Sequence, residues 1–215
     1  MIKSVKFLLI GCLACSSLFA GQLDTAELVD RFQSWLDGTS DLQGRFEQTL
    51  QSGALGSGLA ESGKLYLERP GRMRWDYLKP EKKVALLDDG KTSLYLEEER
   101  EIILGRLDET SELLPELLTG EGRIVERFRA SLASAPEGED GAYRLRLVPL
   151  GEAEPFEEVL LLLRPPEFGI EAAEVLDAAG NRISYRFTAL RRNRGIAERI
   201  FHFEPPSGTS VLGSH

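Results

Sequence analysis

The clearest pattern in the chain lies between residues 72 and 77, where Met73, Trp75 and Tyr77 alternate with Arg72, Arg74 and Asp76. A period of two with one apolar and one charged face describes a half-buried β-strand. Upstream, Leu42 to Gln51 places Phe46, Gln48 and Leu50 on one face and Arg45, Glu47 and Thr49 on the other, and Leu59 to Arg69 follows a Gly/Ser-rich loop. Downstream, Val84 to Leu87 runs into the turn signal Asp88-Asp89-Gly90, and Leu94 to Glu97 pairs naturally with it. Tyr143, Leu145 and Leu147 alternate with Arg144 and Arg146, while Val159 to Leu163 is apolar on both faces. Ile170 to Leu176 leads through the turn at 177–181 into Ile183, Tyr185 and Phe187, and Ile200 to Phe203 reads as a last strand before Pro205-Pro206.

Two stretches follow the helical period instead. Asp24 and Glu27 have capping-box spacing, Leu28, Phe32, Trp35 and Leu36 form one apolar stripe, and Gly38 sits where a C-terminal cap belongs. Within Ser111 to Gly120, Leu113, Leu114, Leu117 and Leu118 share one face of a short helix, with Pro115 in its first turn and Gly120 at its end. Residues 123–134 fit either helix or strand. About ten strands in meander order predict a large, strongly curved antiparallel sheet or an open barrel, with the helices over one face or opening. No repeat or linker divides the chain, so one domain is expected over residues 21–215.

The first twenty residues belong to a different pattern. Lys3 and Lys6 precede the apolar run Phe7 to Ala14, and small residues lead to Ala20, as in a secretory signal peptide over residues 1–20. The run is short of the roughly 20 residues of a membrane-spanning helix. Leu9-Ile10-Gly11-Cys12 also resembles a lipoprotein-processing site, which would leave Cys12 lipidated. Only Phe7 to Ile10 separate Lys6 from Gly11, fewer than the roughly 7–15 apolar residues of a signal core. Cleavage after Ala20 is the favoured reading.

Removing that segment removes both cysteines, Cys12 and Cys15, and leaves 24 basic residues against 35 acidic, a net charge of −11. Such a balance argues against nucleic-acid binding and against adhesion to anionic membrane surfaces. His202, in the expected last strand, and the terminal His215 are the only histidines. With so little imidazole and no thiol, zinc sites and nucleophilic triads lack their parts. Glu97 to Glu99 and Glu137 to Asp140 read as solvated turns rather than a glycosidase pair. The expectation is a monomeric protein without enzymatic activity, cofactor or metal.

Pattern alone favours an ordinary core under two packing helices. The alternative is a cavity between sheet and helices that shelters acyl chains, each buried methylene contributing about 0.8 kcal/mol. Phe46-Glu47-Gln48, the block Arg69-Pro70-Gly71-Arg72-Met73-Arg74-Trp75-Asp76-Tyr77, and Asp89-Gly90-Lys91 resemble the N-terminal half of the LolA family of periplasmic outer-membrane lipoprotein carriers. Leu117-Leu118-Thr119-Gly120, Tyr143-Arg144-Leu145, Asp177 to Asn181 and Phe203-Glu204-Pro205-Pro206 continue the resemblance in order.

That resemblance implies a mainly β fold, an unclosed antiparallel half-barrel covered by short helices over a hydrophobic cavity. It also implies acylated lipoproteins as cargo, an inner-membrane ATP-driven (ABC) transporter that releases them, and an outer-membrane receptor that takes them. By the same resemblance, Arg69 hydrogen-bonds carbonyls of the lid helices and keeps the empty cavity shut. Without it, Arg69 is a strand-end residue in an ion pair with a nearby glutamate. Phe46, Leu50, Leu65, Leu67, Met73, Trp75 and Tyr77, with Leu117 and Leu118 on the lid, are the candidate cavity lining, the inward strand face being left open. Arg191, Arg192 and Arg194 read as a solvated turn or a partner-docking site. Two further functions stay open: a lipidated outer-membrane receptor of the same fold, and a periplasmic module that senses a lipid or protein signal.

Overall fold

Asp24 ends the extended backbone and accepts the Glu27 N–H on Oδ1 at 2.8 Å, which starts helix α1 (Thr25–Asp37). Only half of the predicted capping box forms, because the Glu27 side chain turns to Arg31 at 3.0 Å. Gly38 closes the helix with its N–H on the Ser34 carbonyl. The computed structural model of the protein describes residues 23–52, 58–106, 113–119, 122–151 and 156–213. The expected signal peptide, Cys12 and Gly120 lie outside them.

Strands β1 (Asp41–Gln51), β2 (Gly58–Glu68), β3 (Arg72–Lys79), β4 (Lys83–Asp88), β5 (Lys91–Leu96) and β6 (Glu101–Arg106) form an antiparallel meander. Helices α2 (Leu113–Thr119) and α3 (Ile124–Arg127) follow. A second meander comprises β7 (Phe128–Ala133), β8 (Tyr143–Pro149), β9 (Phe156–Arg164), β10 (Gly169–Asp177) and β11 (Arg182–Arg192). Pairing of β1 with β11 joins the two meanders. A 3₁₀ turn (Glu198–Phe201) leads to β12 (Ser210–Leu212), which adds parallel to β6.

The order is β12-β6-β5-β4-β3-β2-β1-β11-β10-β9-β8-β7, a sheet of 12 strands among the described residues. Its outer strands β12 and β7 do not pair with each other there, so the sheet stays open, as a half-barrel does.

One face of this sheet carries the core. Leu145, Leu147, Val159, Leu161 and Leu163 are fully buried on it, and Leu28, Phe32 and Leu36 of α1 and Leu114, Leu117 and Leu118 of α2 pack into the same cluster. Each such side chain contributes about 1.5–3 kcal/mol. The same face is lined by Leu65, Leu67, Met73 and Trp75, which settles the question of direction left open by the alternation.

Three sequence expectations change. Residues 123–134 form both a helix and a strand, giving a third helix. Ile200 to Phe203 is not a strand. Instead it lies as a 3₁₀ turn over the outer face of β3, where Arg72 sits 5.2 Å from the Phe201 ring and Arg74 donates to the Ile200 carbonyl at 2.8 Å. The alternation of Phe201 and Phe203 reflects two aromatic anchors on one surface, Phe203 meeting Tyr95 at 5.0 Å, without a backbone ladder. Glu139 is not simply a solvated turn residue, since Arg164 and Arg186 both bind it at 2.7 Å.

Candidate functional site

The turn Arg69-Pro70-Gly71 touches the C-terminal ends of two helices. Arg69 Nη1 donates to the Leu36 carbonyl in the last turn of α1 at 2.6 Å. Two residues on, the Gly71 N–H donates to the carbonyl of Thr119, the last residue of α2, at 3.2 Å. Helix C-termini expose carbonyls without intrahelical partners and carry partial negative charge, so cationic and N–H donors belong there. Gly71 has φ +75°, the left-handed region that lets the backbone turn its N–H towards α2. The Arg69 N–H also donates to the Ser40 carbonyl at 2.9 Å, tying the turn to the α1–β1 connection. Glu68, the sequence neighbour of Arg69, is engaged by Arg72.

A second arginine holds α1 from the other side. Arg192 of β11 donates from Nη1 to the Trp35 carbonyl at 3.1 Å and lies 5.7 Å over the Trp35 ring. Asn193 donates to the Gly38 carbonyl at 2.7 Å, and Asp41 accepts the N–H groups of Arg194 and Gly195. Arg192 is thus a helix anchor rather than part of a solvated turn. Gln33 joins α1 to α3 through its Oε1, which accepts the Ile124 N–H at 2.9 Å.

Beneath the helices, strand pairing arranges the inner face in rows. Leu42, Leu67, Met73 and Leu87 form one; Leu65, Trp75 and Ala85 form the next. Phe187, Phe46, Gly63, Tyr77 and Lys83 follow, then Tyr185, Gln48 and Glu61, and finally Ile183, Leu50 and Leu59. Phe46 meets Trp75 edge-on at 4.5 Å and Tyr77 at 5.0 Å, while Trp75 lies 5.5 Å from Tyr185 and 6.3 Å from Phe187. Such aromatic pairs contribute about 0.5–1.5 kcal/mol beyond their burial. Gly63 makes room for this cluster: a Cβ there would lie 2.9 Å from Phe46 Cε1 and 1.9 Å from the Asp76 carbonyl oxygen.

Of the nine candidate lining residues, Phe46, Leu65, Leu67, Met73, Trp75, Leu117 and Leu118 come together in the buried cluster. Tyr77 is half-buried at its margin, its hydroxyl donating to Gln48 Oε1 at 3.0 Å. Leu50 is 37 % exposed in the rim row beside Leu59, away from the helices. Sequence reasoning passed over Tyr185 and Phe187, whose alternation was visible but whose alignment with Phe46 depends on the β1–β11 register. It also missed Glu61 and Lys83, an ion pair of 2.6 Å on the inner face that isolated charges in two strands do not advertise.

Among the described residues, no group of three or more His, Cys, Asp or Glu is placed to hold a metal. Between sheet and helices lies one continuous apolar cluster, closed by the bonds of Arg69, Gly71 and Arg192 to the helix ends.

Comparison with known proteins agrees with this geometry. Residues 37–204 match the family described as outer membrane lipoprotein carrier protein LolA. An outer-membrane lipoprotein carrier protein of Methylococcus capsulatus is 30 % identical over 98 % of this chain and 99 % of its own. Among solved structures, an uncharacterized conserved protein from Thermus thermophilus superposes with a TM-score of 0.55 at 14 % identity, covering 87 % of this chain and 97 % of that one. MucB superposes with a TM-score of 0.52 at 16 % identity, over 87 % of this chain and 65 % of that one. The two structures share the fold.

Proposed function

Since the chain belongs to the LolA family of outer membrane lipoprotein carrier proteins, we propose that it binds the acyl chains of lipoproteins and carries them through the periplasm. The observation that carries this reading is an apolar sheet face roofed by helices whose C-terminal ends are both bonded from one turn, at Arg69 and Gly71. In the empty protein the leucines of α1 and α2 occupy the place that acyl chains would take. Opening breaks the Arg69–Leu36 bond, and chains entering against Phe46, Leu65, Leu67, Met73 and Trp75 repay it at about 0.8 kcal/mol per buried methylene. The closed state competes with the cargo, and this competition makes release possible. Arg69 is the latch in this reading.

The cargo would come from an inner-membrane ABC transporter and pass to an outer-membrane receptor, with the leader at residues 1–20 directing export. Incubation of the purified protein with lipoprotein-loaded spheroplasts tests the role. A soluble one-to-one complex with acylated lipoprotein is expected; its absence, with an active release complex from the same organism, would overturn the reading. A lipidated receptor of the same fold would instead retain an acylated Cys12, and mass spectrometry of the exported N terminus separates the two.

A further inference from the structure

The apolar inner face ends in charge. Glu61 of β2 is only 8 % exposed on its side chain and binds Lys83 of β4 at 2.6 Å. The Lys83 ammonium also stands 4.3 Å from the centroid of the Tyr77 ring, and the Tyr77 hydroxyl reaches Gln48. Gln48 and Glu61 form the row between Phe46 and the rim residues Leu50 and Leu59, which are apolar again, and Tyr77 and Lys83 reach them from the Phe46 row. A buried ion pair adds little net stability, and apolar residues of similar volume often replace one without loss. Stability therefore does not account for a charged band across an otherwise apolar surface.

Resting on the carrier reading above, we propose that this band is a head-group station. It holds the uncharged ester-and-amide head of a multiply acylated cysteine at the margin of the apolar face, and Glu61 excludes phosphate-headed lipids carrying the same chains. The donors and acceptors fit such a head. An ammonium has three N–H donors, of which Glu61 takes one, and ester carbonyls can accept from the others. The Gln48 amide supplies both donor and acceptor for the N-acyl amide and the peptide that follows. Anionic lipids gain little there, because Glu61 is paired with Lys83 and cancels the attraction that a lone ammonium would offer a phosphate. Selectivity then comes from a withheld cation as well as from the polar contacts offered to the head.

The test compares two ligands with identical chains, a tripalmitoylated cysteine lipopeptide and dipalmitoyl phosphatidylglycerol, each measured by displacement of a fluorescent fatty acid from the purified protein. The wild type should prefer the lipopeptide by about tenfold or more, a step of one decade in Kd. Glu61→Gln should shrink that preference by strengthening phosphatidylglycerol binding, and Lys83→Gln should widen it. Circular dichroism verifies each fold; should Glu61→Gln not fold, the wild-type ratio and Lys83→Gln decide. Equal wild-type affinities, or variants that move both ligands alike, would overturn the station while leaving the carrier role intact. A wild type that binds neither ligand would overturn the carrier reading and the station with it.

Discussion

Arg192 engages Trp35 twice, by a hydrogen bond to its carbonyl and by a guanidinium placed over its indole. The contact fastens the last turn of α1 to β11, on the opposite flank from Arg69 of the β2–β3 turn. One cation reaches the Trp35 carbonyl and the other the Leu36 carbonyl, so consecutive residues of one helix end are held from two parts of the sheet.

Arg192→Ala removes a charge-assisted hydrogen bond and a cation–π contact, together about 2 kcal/mol. Urea unfolding should show that loss as a lower midpoint with an unchanged slope. Arg192→Lys should recover only part of it, because an ammonium cannot both stack and reach the carbonyl as a planar fork does. An unshifted midpoint in Arg192→Ala would contradict the anchor.

Arg69→Leu should behave differently. The side chain makes a charge-assisted bond to the end of α1, the seam that opens in the proposed carrier, so global stability should fall by about 2 kcal/mol or less. Amide exchange in the last turn of α1, at Gly38 and Thr39, should accelerate well beyond that of β8 and β9. Lipoprotein uptake or hand-over should change while the protein stays folded. Normal transfer by this variant would remove the latch.

Gly63→Ala introduces a methyl group that meets the Asp76 carbonyl oxygen at 1.9 Å, a backbone atom that cannot rotate away. The expected cost is about 3 kcal/mol or more, at the severe end for a single methyl group. Thermal unfolding measures it, and loss of the Trp75 near-ultraviolet signal would report disruption of the aromatic cluster.

Glu139 provides a pH test. The hydrogen bond from Arg186 holds its carboxyl below the ordinary glutamate value, with the charges of Arg186 and Arg164 acting in the same sense against a smaller upward push from burial. A lowered folded pKa means that its stabilisation is complete above the ordinary value near 4.5 and is lost as pH falls from there through the folded value. Glu139→Gln should therefore lie below wild type in stability at neutral pH, with the gap closing below about pH 4.5. A gap that persists into stronger acid would mean that packing, not charge, sets the contribution.

The alternation of Met73, Trp75 and Tyr77 and the stripe of Leu28, Phe32 and Leu36 were legible because each is written within a few consecutive residues. The strand face that looks inward was not, since it depends on which surface the helices cover. Arg192 and Glu139 escaped for a related reason: their partners, Trp35 and Arg186, are separated from them by 157 and 47 residues. The last segment misled because Phe201 and Phe203 have strand spacing, whereas the N–H groups of Ile200 and His202 close 3₁₀-type turns onto Ala197 and Arg199 and the Ile200 carbonyl accepts from Arg74. The latch proposed for Arg69 rests on the family motif; the residues alone read as a strand-end ion pair.

The parallel strand β12 has a consequence for how copies of the protein meet. An open sheet presents unpaired N–H and C=O groups at its margins, and such margins template strand addition between molecules. At one margin Ser210, Val211 and Leu212 pair with Glu101, Ile102 and Ile103, so the first half of the β6 edge is covered by a strand of 3 residues. So short a border gives a neighbouring chain little to extend at this margin, and leaves β7 as the longer edge of the sheet among the described residues.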